Sequence, residues 1–334
     1  LTDVLLDARM AIRGLGISTF VDRLTEGLAG TPSSARVTLW KGQGGWTRAG
    51  RLSTLSRSGL FDLSPRLDPR TRPFDVVHYA SNVGSIVPGR NSVLTVHDLL
   101  HRHSRRRRDR VTGFLLENSL PRVGRVVAVS ERTRREVVDA FPQLAGRVTV
   151  IPHGMRRCPQ ATAERRHLIA FGGGSDPRKR TELLIAAYDE YRSTTPDPLP
   201  LVLLARAGLS GDQAPRLAAL GARIVADATG AEVDGLVAAA GAVIYTTRTE
   251  GFGLPILEAA EFGTPVVLDA SADVATEVLG RHCFGVEGTA PRQWAAAIRR
   301  AVDAAPVADA LSLPDWPTVA ARYLELYAAV AADR

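Results

Sequence analysis

The sequence predicts an α/β chain of two doubly wound, Rossmann-like halves facing a central cleft, and three observations lead there. Short β-branched runs alternate with longer Ala/Leu/Arg-rich helical patterns from end to end, an alternation that builds parallel sheets covered on both faces. The alternation runs out at VIPHGM (150 to 155) and restarts at HLIAFGGG after a polar, Arg-rich stretch. At 334 residues the chain is also long for a single hydrophobic core.

In the first half DVVHYA (75 to 80), SVLTVHD (92 to 98), RVVAVS (125 to 130) and RVTVIP (147 to 152) read as buried strands. SERTRREVVDAF opens with an N-cap serine and carries helical periodicity. In the second half HLIAFGGG, LPLVLLA, ARIVADA, GAVIYTT and GTPVVLD read as strands, separated by helices such as RTELLIAAYDEYRS and AEVDGLVAAA. The tail LPDWPTVAARYLELYAAVAADR reads as a helix pair or one long helix after Pro317. The expected domains are 1–154, 155–312 and a C-terminal helix, 313–334, crossing back toward the first domain. Ligands of such halves sit at the carboxyl edges of the strands.

An apolar fraction of 45% and a charged fraction of 23% are those of a globular protein. No apolar run approaches the roughly 20 residues of a membrane span. The opening LTDVLLDARMAIRGLG lacks the cationic lead and unbroken apolar core of a secretory signal. Cys158 and Cys283 are the only cysteines, too few for a disulfide framework or a zinc site. A cytoplasmic protein is expected. Net charge is +7, and 40 of the 42 basic residues are arginine, leaving Lys41 and Lys179 as the only lysines. The excess favours anionic partners. Nucleic acid is not among them, because aromatics make up 6% and no recognition module is visible.

Two stretches carry chemistry. In AFGGGSDPRKRTELLIAAY (170 to 188) a strand ends in Gly172, Gly173 and Gly174 and a helix starts behind Arg178, Lys179 and Arg180. Cations oppose the dipole of a helix N-terminus, so three of them there point to an anion, most plausibly a diphosphate. Lys179 strengthens this, since an almost lysine-free chain keeps one here. In EGFGLPILE (250 to 258) Gly251 and Gly253 form a turn after a strand, and Pro255 suits the first helical position. Helix side chains lean toward the N-terminus, so Glu258 leans back toward the loop that holds Glu250. A carboxylate suits a vicinal diol, which makes these two glutamates ribose and sugar contacts. The plainer alternative is a polar helix face with Glu250 in a solvated loop.

These segments resemble retaining glycosyltransferases of the GT-B fold, family 4. EGFGLPILEAAEFGTPVV is similar to that family's E-x7-E motif, GGGSDPRKR to its diphosphate-binding turn and VTVIPHGM to its interdomain signature. TVHDL, AVSERTRREV, the final helix and RGLGISTF also fit, so the likeness spans essentially the whole chain. The resemblance implies that 1–154 is an acceptor domain and 155–312 a nucleotide-sugar donor domain. It implies that Arg178 and Lys179 bind the donor diphosphate, with Gly16 allowing its close approach, and that Glu258 binds the ribose. Glu250 would contact the donor sugar, with backbone N–H groups of Phe252, Gly253 and Leu254 near the sugar or phosphate. His97 would face the sugar from the first domain. Two departures stand out: Gly173 replaces a common arginine, whose charge Arg178 would take over, and Ser18-Thr19-Phe20 replaces Gly-Arg-Tyr.

The function implied is metal-independent, retaining transfer of a sugar from a nucleotide sugar, with UDP the first guess and GDP the second. The acceptor would be a small molecule, an oligosaccharide or a lipid, and no cofactor is expected. No D-x-D motif is present to hold a metal. The traits are similar to those of oligosaccharide-antibiotic tailoring enzymes of the avilamycin type, and envelope mannosyltransferases share several. His97 has a simpler reading, a hydrogen bond to a backbone group. The tract HRHSRRRRDR (101 to 110) reads as a solvated loop or as a contact with an anionic acceptor or membrane surface. Rival readings are a nucleotide-sugar epimerase of the same fold, a non-catalytic sugar-nucleotide binder and a glycoside hydrolase, which would also use two carboxylates. A nicotinamide dehydrogenase is disfavoured, since no G-x-G-x-x-G follows the first strand.

Overall fold

The computed structural model of the chain describes residues 1–8, 16–41, 45–48, 51–53, 74–82, 85, 88–103, 107–155, 165–172, 177–205, 208–226, 228–248, 253–272, 279, 283–304 and 313–333. They fall into two units, one of residues 1–154 with 313–334 and one of 155–312.

The first unit runs β1 (Thr2–Asp7), α1 (Gly16–Gly30), β2 (Ala35–Lys41), β3 (Gly45–Arg48), β4 (Arg51–Ser53), β5 (Val76–Tyr79), β6 (Ser92–Val96), α2 (Arg107–Ser119), β7 (Arg125–Ala128), α3 (Glu131–Ala140) and β8 (Val148–Val150). Its sheet has the order β4-β3-β2-β1-β5-β6-β7-β8, parallel from β2 to β8, with β3 and β4 added antiparallel at one edge. Every residue of β5 and β6 is buried, as both faces of a parallel sheet require. Ser130 caps α3 as its sequence demands, its Oγ accepting the Thr133 amide at 3.0 Å.

The second unit runs β9 (His167–Phe171), α4 (Thr181–Thr194), β10 (Leu201–Leu204), α5 (Gln213–Ala219), β11 (Arg223–Val225), α6 (Gly230–Ala238), β12 (Ala240–Tyr245), α7 (Leu254–Glu261), β13 (Val266–Asp269), β14 (Cys283–Val286) and α8 (Pro291–Asp303). All six strands are parallel, in the order β11-β10-β9-β12-β13-β14. The order reverses between β9 and β12, and such a switch point opens a crevice at the strand carboxyl ends. Trp294 and Ile298 of α8 pack with Tyr188 and Tyr191 of α4 in the core on the sheet. Together the two sheets with their helices are the α/β class that the strand–helix alternation predicts.

The tail is one helix, α9 (Trp316–Ala332), starting one residue before Pro317 and capped by Asp315, whose Oδ1 accepts the Thr318 amide at 3.0 Å. It belongs to the first unit. Trp316, Val319, Ala320, Tyr323, Tyr327 and Val330 are buried, an i, i+3/i+4 stripe. Gly27 of α1 and Gly154 let it approach: a Cβ at either would lie 2.8 Å from backbone atoms of Trp316. Polar groups then lock its register. Tyr327 Oη meets His78 Nδ1 at 2.6 Å, His78 Nε2 meets Thr95 Oγ1 at 2.7 Å, and Thr95 Oγ1 meets Tyr323 Oη at 3.2 Å. Burial pushes both phenols up and the imidazole down, so the chain of hydrogen bonds is neutral throughout. None of the described helices is long and apolar enough to cross a membrane.

Candidate functional site

The carboxyl ends of β9 and β12 lie side by side, and each leads into a helix whose start is built unusually. After β9 comes a single 3-10 turn, Pro177–Lys179, and then α4. Arg178 is exposed and Lys179 half-buried. The Lys179 ammonium reaches back over the strand end to the Gly172 carbonyl, at 3.5 Å. Among the described residues Lys179 is in no ion pair. A cation beside unpaired helix N–H groups is a ready anion site.

Arg180 departs from the expectation that all three cations await an anion. It caps α4 in the left-handed region, φ 44° and ψ 49°, and it is the one non-glycine at positive φ among the described residues. That conformation costs an arginine on the order of 1–2 kcal/mol. Its side chain turns inward: Nε donates to the Thr246 carbonyl at 2.6 Å and Nη2 to Asp269 Oδ2 at 2.5 Å. Burial pushes the Asp269 carboxyl up, but Ser271 and Arg180 together hold it below the usual carboxylate range. Arg178 and Lys179 are then the two cations of the turn outside this buried pair. The sequence shows three in a row and cannot tell which one pairs with a residue 89 positions away.

After β12 the chain enters α7 through Gly253, in the left-handed region with φ 74°. A side chain there would be strained, and its Cβ would also come within 3.0 Å of Ile256. Gly253 is the cap, Leu254 the first helical residue and Pro255 the second, one position later than the sequence implied. Proline fits there equally, because the first-turn amides have no helical partner. Glu258 is half-buried on this helix, and α7 stops where Gly263 takes φ 71°. Arg178 and Lys179 thus come after the carboxyl end of β9, and Gly253, Leu254 and Glu258 after that of the neighbouring β12. Glu250, Phe252 and Gly173 lie outside the described residues.

Gly16 and His97 belong to the first unit. Gly16 opens α1, and among the described residues a Cβ there would meet nothing within 4 Å. His97 follows β6 and is buried. Its amide donates to Asn82 Oδ1 at 2.7 Å and its Nε2 lies 3.0 Å from the Ala80 carbonyl. A carbonyl accepts only, so Nε2 carries the proton and Nδ1 the lone pair. His153 stacks on the ring at 5.5 Å, and Phe20 meets it edge-on at 4.9 Å. Burial keeps His97 below its ordinary pKa, although the Ala80 carbonyl and Asp98 oppose the shift. The backbone hydrogen bond that the sequence offered as the simpler reading is present. His153 was not singled out from the sequence; its burial against His97 and Trp316 is legible only in three dimensions.

Part of the basic tract at 101–110 is spent within the fold. Arg102 Nε and His101 Nε2 reach Glu117 Oε1 of α2 at 2.8 and 3.2 Å. Residues 104–106 lie outside the described ones.

A doubly wound sheet with a cationic helix start on one side of its switch point and a glycine-capped, carboxylate-bearing helix on the other defines an α/β protein with its crevice at the strand carboxyl ends. Two family profiles match the chain: "Glycosyltransferase Family 4" over residues 16–156 and "Glycosyl transferases group 1" over 165–304. The chain belongs to glycosyltransferase family 4, with the GT-B fold. A D-inositol 3-phosphate glycosyltransferase of Thermobispora bispora is 29% identical over 238 residues, 61% of this chain and 55% of that protein. The chain spans about half the length of the curated relatives it matches. Among solved structures, a sucrose-phosphate synthase of Thermosynechococcus elongatus superposes with a TM-score of 0.68 at 17% identity, over 100% of both chains. AviGT4, a glycosyltransferase involved in avilamycin A biosynthesis, superposes with a TM-score of 0.63 at 20% identity, over 100% of this chain and 99% of that one. At those identities the structural likeness carries the fold alone.

Proposed function

We propose that the chain transfers a sugar from a nucleoside-diphosphate sugar to a hydroxyl acceptor, with retention of the anomeric configuration and without a metal. The observation that carries this is the cationic start of α4 at the switch point, where Lys179 reaches the end of β9. Lys179 and Arg178 hold the diphosphate. Glu258 accepts from the ribose hydroxyls, and Glu250 holds the donor sugar together with the backbone N–H groups of Phe252, Gly253 and Leu254.

As the glycosyl–phosphate bond breaks, positive charge grows on the sugar ring and negative charge on the departing diphosphate. Fixed cations and the N-terminal dipoles of α4 and α7 stabilise that leaving group, a contribution of several kcal/mol in preorganised sites. The acceptor hydroxyl attacks from the face the diphosphate leaves, and a phosphate oxygen takes its proton. Uridine is the base tried first. The relatives named for inositol 3-phosphate make a polyol or sugar hydroxyl the first acceptor class to test, with antibiotic oligosaccharides as a second.

A thermal-shift screen of nucleoside diphosphates and sugar nucleotides, followed by transfer assays with the donor it selects, tests this. Stabilisation by one nucleoside diphosphate and acceptor-dependent release of that nucleotide support it. Acceptor-independent turnover points to an epimerase, and release of sugar with no nucleotide donor points to a hydrolase; either outcome overturns it.

A further inference from the structure

Arg180 is the one member of the cationic turn to which the donor reading assigns no task. We propose that Arg180 is a positioning residue, held by Asp269, which fixes the Lys179 turn so that Lys179 meets the donor diphosphate; this rests on the donor reading above.

The contacts form one closed arrangement. Thr246, just beyond β12, donates its hydroxyl to the Lys179 carbonyl at 2.6 Å, while its own carbonyl accepts Arg180 Nε at 2.6 Å. The turn is therefore gripped on both sides by a single residue. From there the guanidinium continues to Asp269, the last residue of β13, at 2.5 Å. Ser271 fixes the other carboxylate oxygen through its amide at 2.9 Å and its hydroxyl at 2.5 Å. The indole of Trp294 lies below the guanidinium, with its centroid 5.9 Å from Cζ. The Arg180 and Asp269 side chains are 18% and 7% exposed, so the pair is shielded from solvent screening.

A strained backbone persists only where its surroundings over-determine it. Here a planar fork supplies two bonds in fixed directions, which a lysine ammonium does not reproduce. With a carboxylate bonded to it, Arg180 contributes little charge to an anion nearby. Its contribution is geometric: it ties the ends of β9, β12 and β13 together and sets the direction in which Lys179 leaves the turn.

The test compares R180G, R180K, D269N and the double variant R180G/D269N. Uridine and guanosine diphosphate binding is measured by calorimetry, donor KM and kcat by a transfer assay, and folding by thermal melting. Glycine adopts the left-handed backbone without strain, and R180G/D269N also removes the buried carboxylate that R180G leaves without its cation, so thermal melting of the two identifies the folded background for the test. R180G is expected to weaken nucleoside-diphosphate binding about tenfold, the loss that follows from breaking a charge-assisted anchor, and to raise donor KM more than it lowers kcat. R180K does not restore affinity. D269N weakens binding in the same direction, and the double variant is no weaker than R180G, because both changes break one link. Additive losses, wild-type affinity in R180K, or tighter binding in D269N would each overturn the proposal, the last by showing Arg180 to be a diphosphate ligand held in check. K179A separates the two levels. If K179A leaves affinity unchanged, the donor reading itself fails; if K179A weakens binding while R180G and D269N do not, only the positioning role fails.

Discussion

Acidification should loosen the first unit through His78. The imidazole is fully buried between Tyr327 and Thr95. Burial, with His97 adding to it, holds its pKa at about 3 against 6.5 for an ordinary histidine. The folded value lies below the unfolded one, so the unfolded chain takes up the extra proton. The stability contributed by the neutral ring is full above the unfolded value and is lost as pH falls toward the folded one. At about pH 5 the unfolded histidine is almost wholly protonated and the folded one almost not, which linkage converts to a loss of about 2 kcal/mol relative to pH 7.5. His97 and His153, also lowered by burial, add in the same direction. Urea denaturation across that range, followed by circular dichroism and tryptophan fluorescence, measures the effect. The unfolding free energy should fall with pH, and His78→Gln should flatten the slope by up to one proton, about 1.4 kcal/mol per pH unit. A pH-independent midpoint, or an H78Q slope equal to the parent's, would refute the buried neutral histidine.

Lys179→Ala should weaken nucleoside-diphosphate binding by about tenfold or more, the scale of a hydrogen bond to a charged group, as read by calorimetry. Glu258→Ala should do the same and should also erase discrimination between a ribonucleotide and its deoxy analogue. Glu250→Ala should leave affinity nearly intact and slow transfer, seen as a fall in kcat. Gly253→Ala should lower the melting temperature through a loss of about 1–2 kcal/mol, since the left-handed cap strains any side chain; an unchanged melting curve would show that the cap relaxes. On the proposed function, in which Arg178, Lys179 and helix termini would hold the donor diphosphate, chelation with EDTA should leave transfer rates unchanged.

Fold was legible from the sequence because periodicity is a local property. The nine strands read from their β-branched runs are all present, most trimmed at the ends where the chain leaves the ladder before the apolar run stops. Among the described strands β1, β2, β3, β4 and β14 escaped notice, and of these ARVTLWK of β2 does carry a β-branched run. TDVLLD of β1 carries acids at its edges, and the short antiparallel pair β3 and β4 is arginine-, threonine- and glycine-bearing. In the site, the glycine cap of α7 and the forward place of Lys179 follow from residue type, since few other residues serve at those positions. Arg180 does not. Its neighbours in sequence make it another surface cation, and only Thr246 and Asp269, brought in by the sheet order, reveal that it faces inward. His97 is similar, because a histidine at a strand end reads alike whether its ring serves a ligand or the Ala80 carbonyl.

The docking of α9 has a consequence for biosynthesis. The unit of 155–312 is one unbroken stretch of chain and can fold while the ribosome is still at work. The other unit lacks Trp316, Tyr323 and Tyr327 until translation of the tail, so the nascent chain exposes the apolar faces of α1 and β1, and His78 has only Thr95 as a partner. The chain of the middle unit is therefore complete before that of the first, the reverse of their order in the sequence.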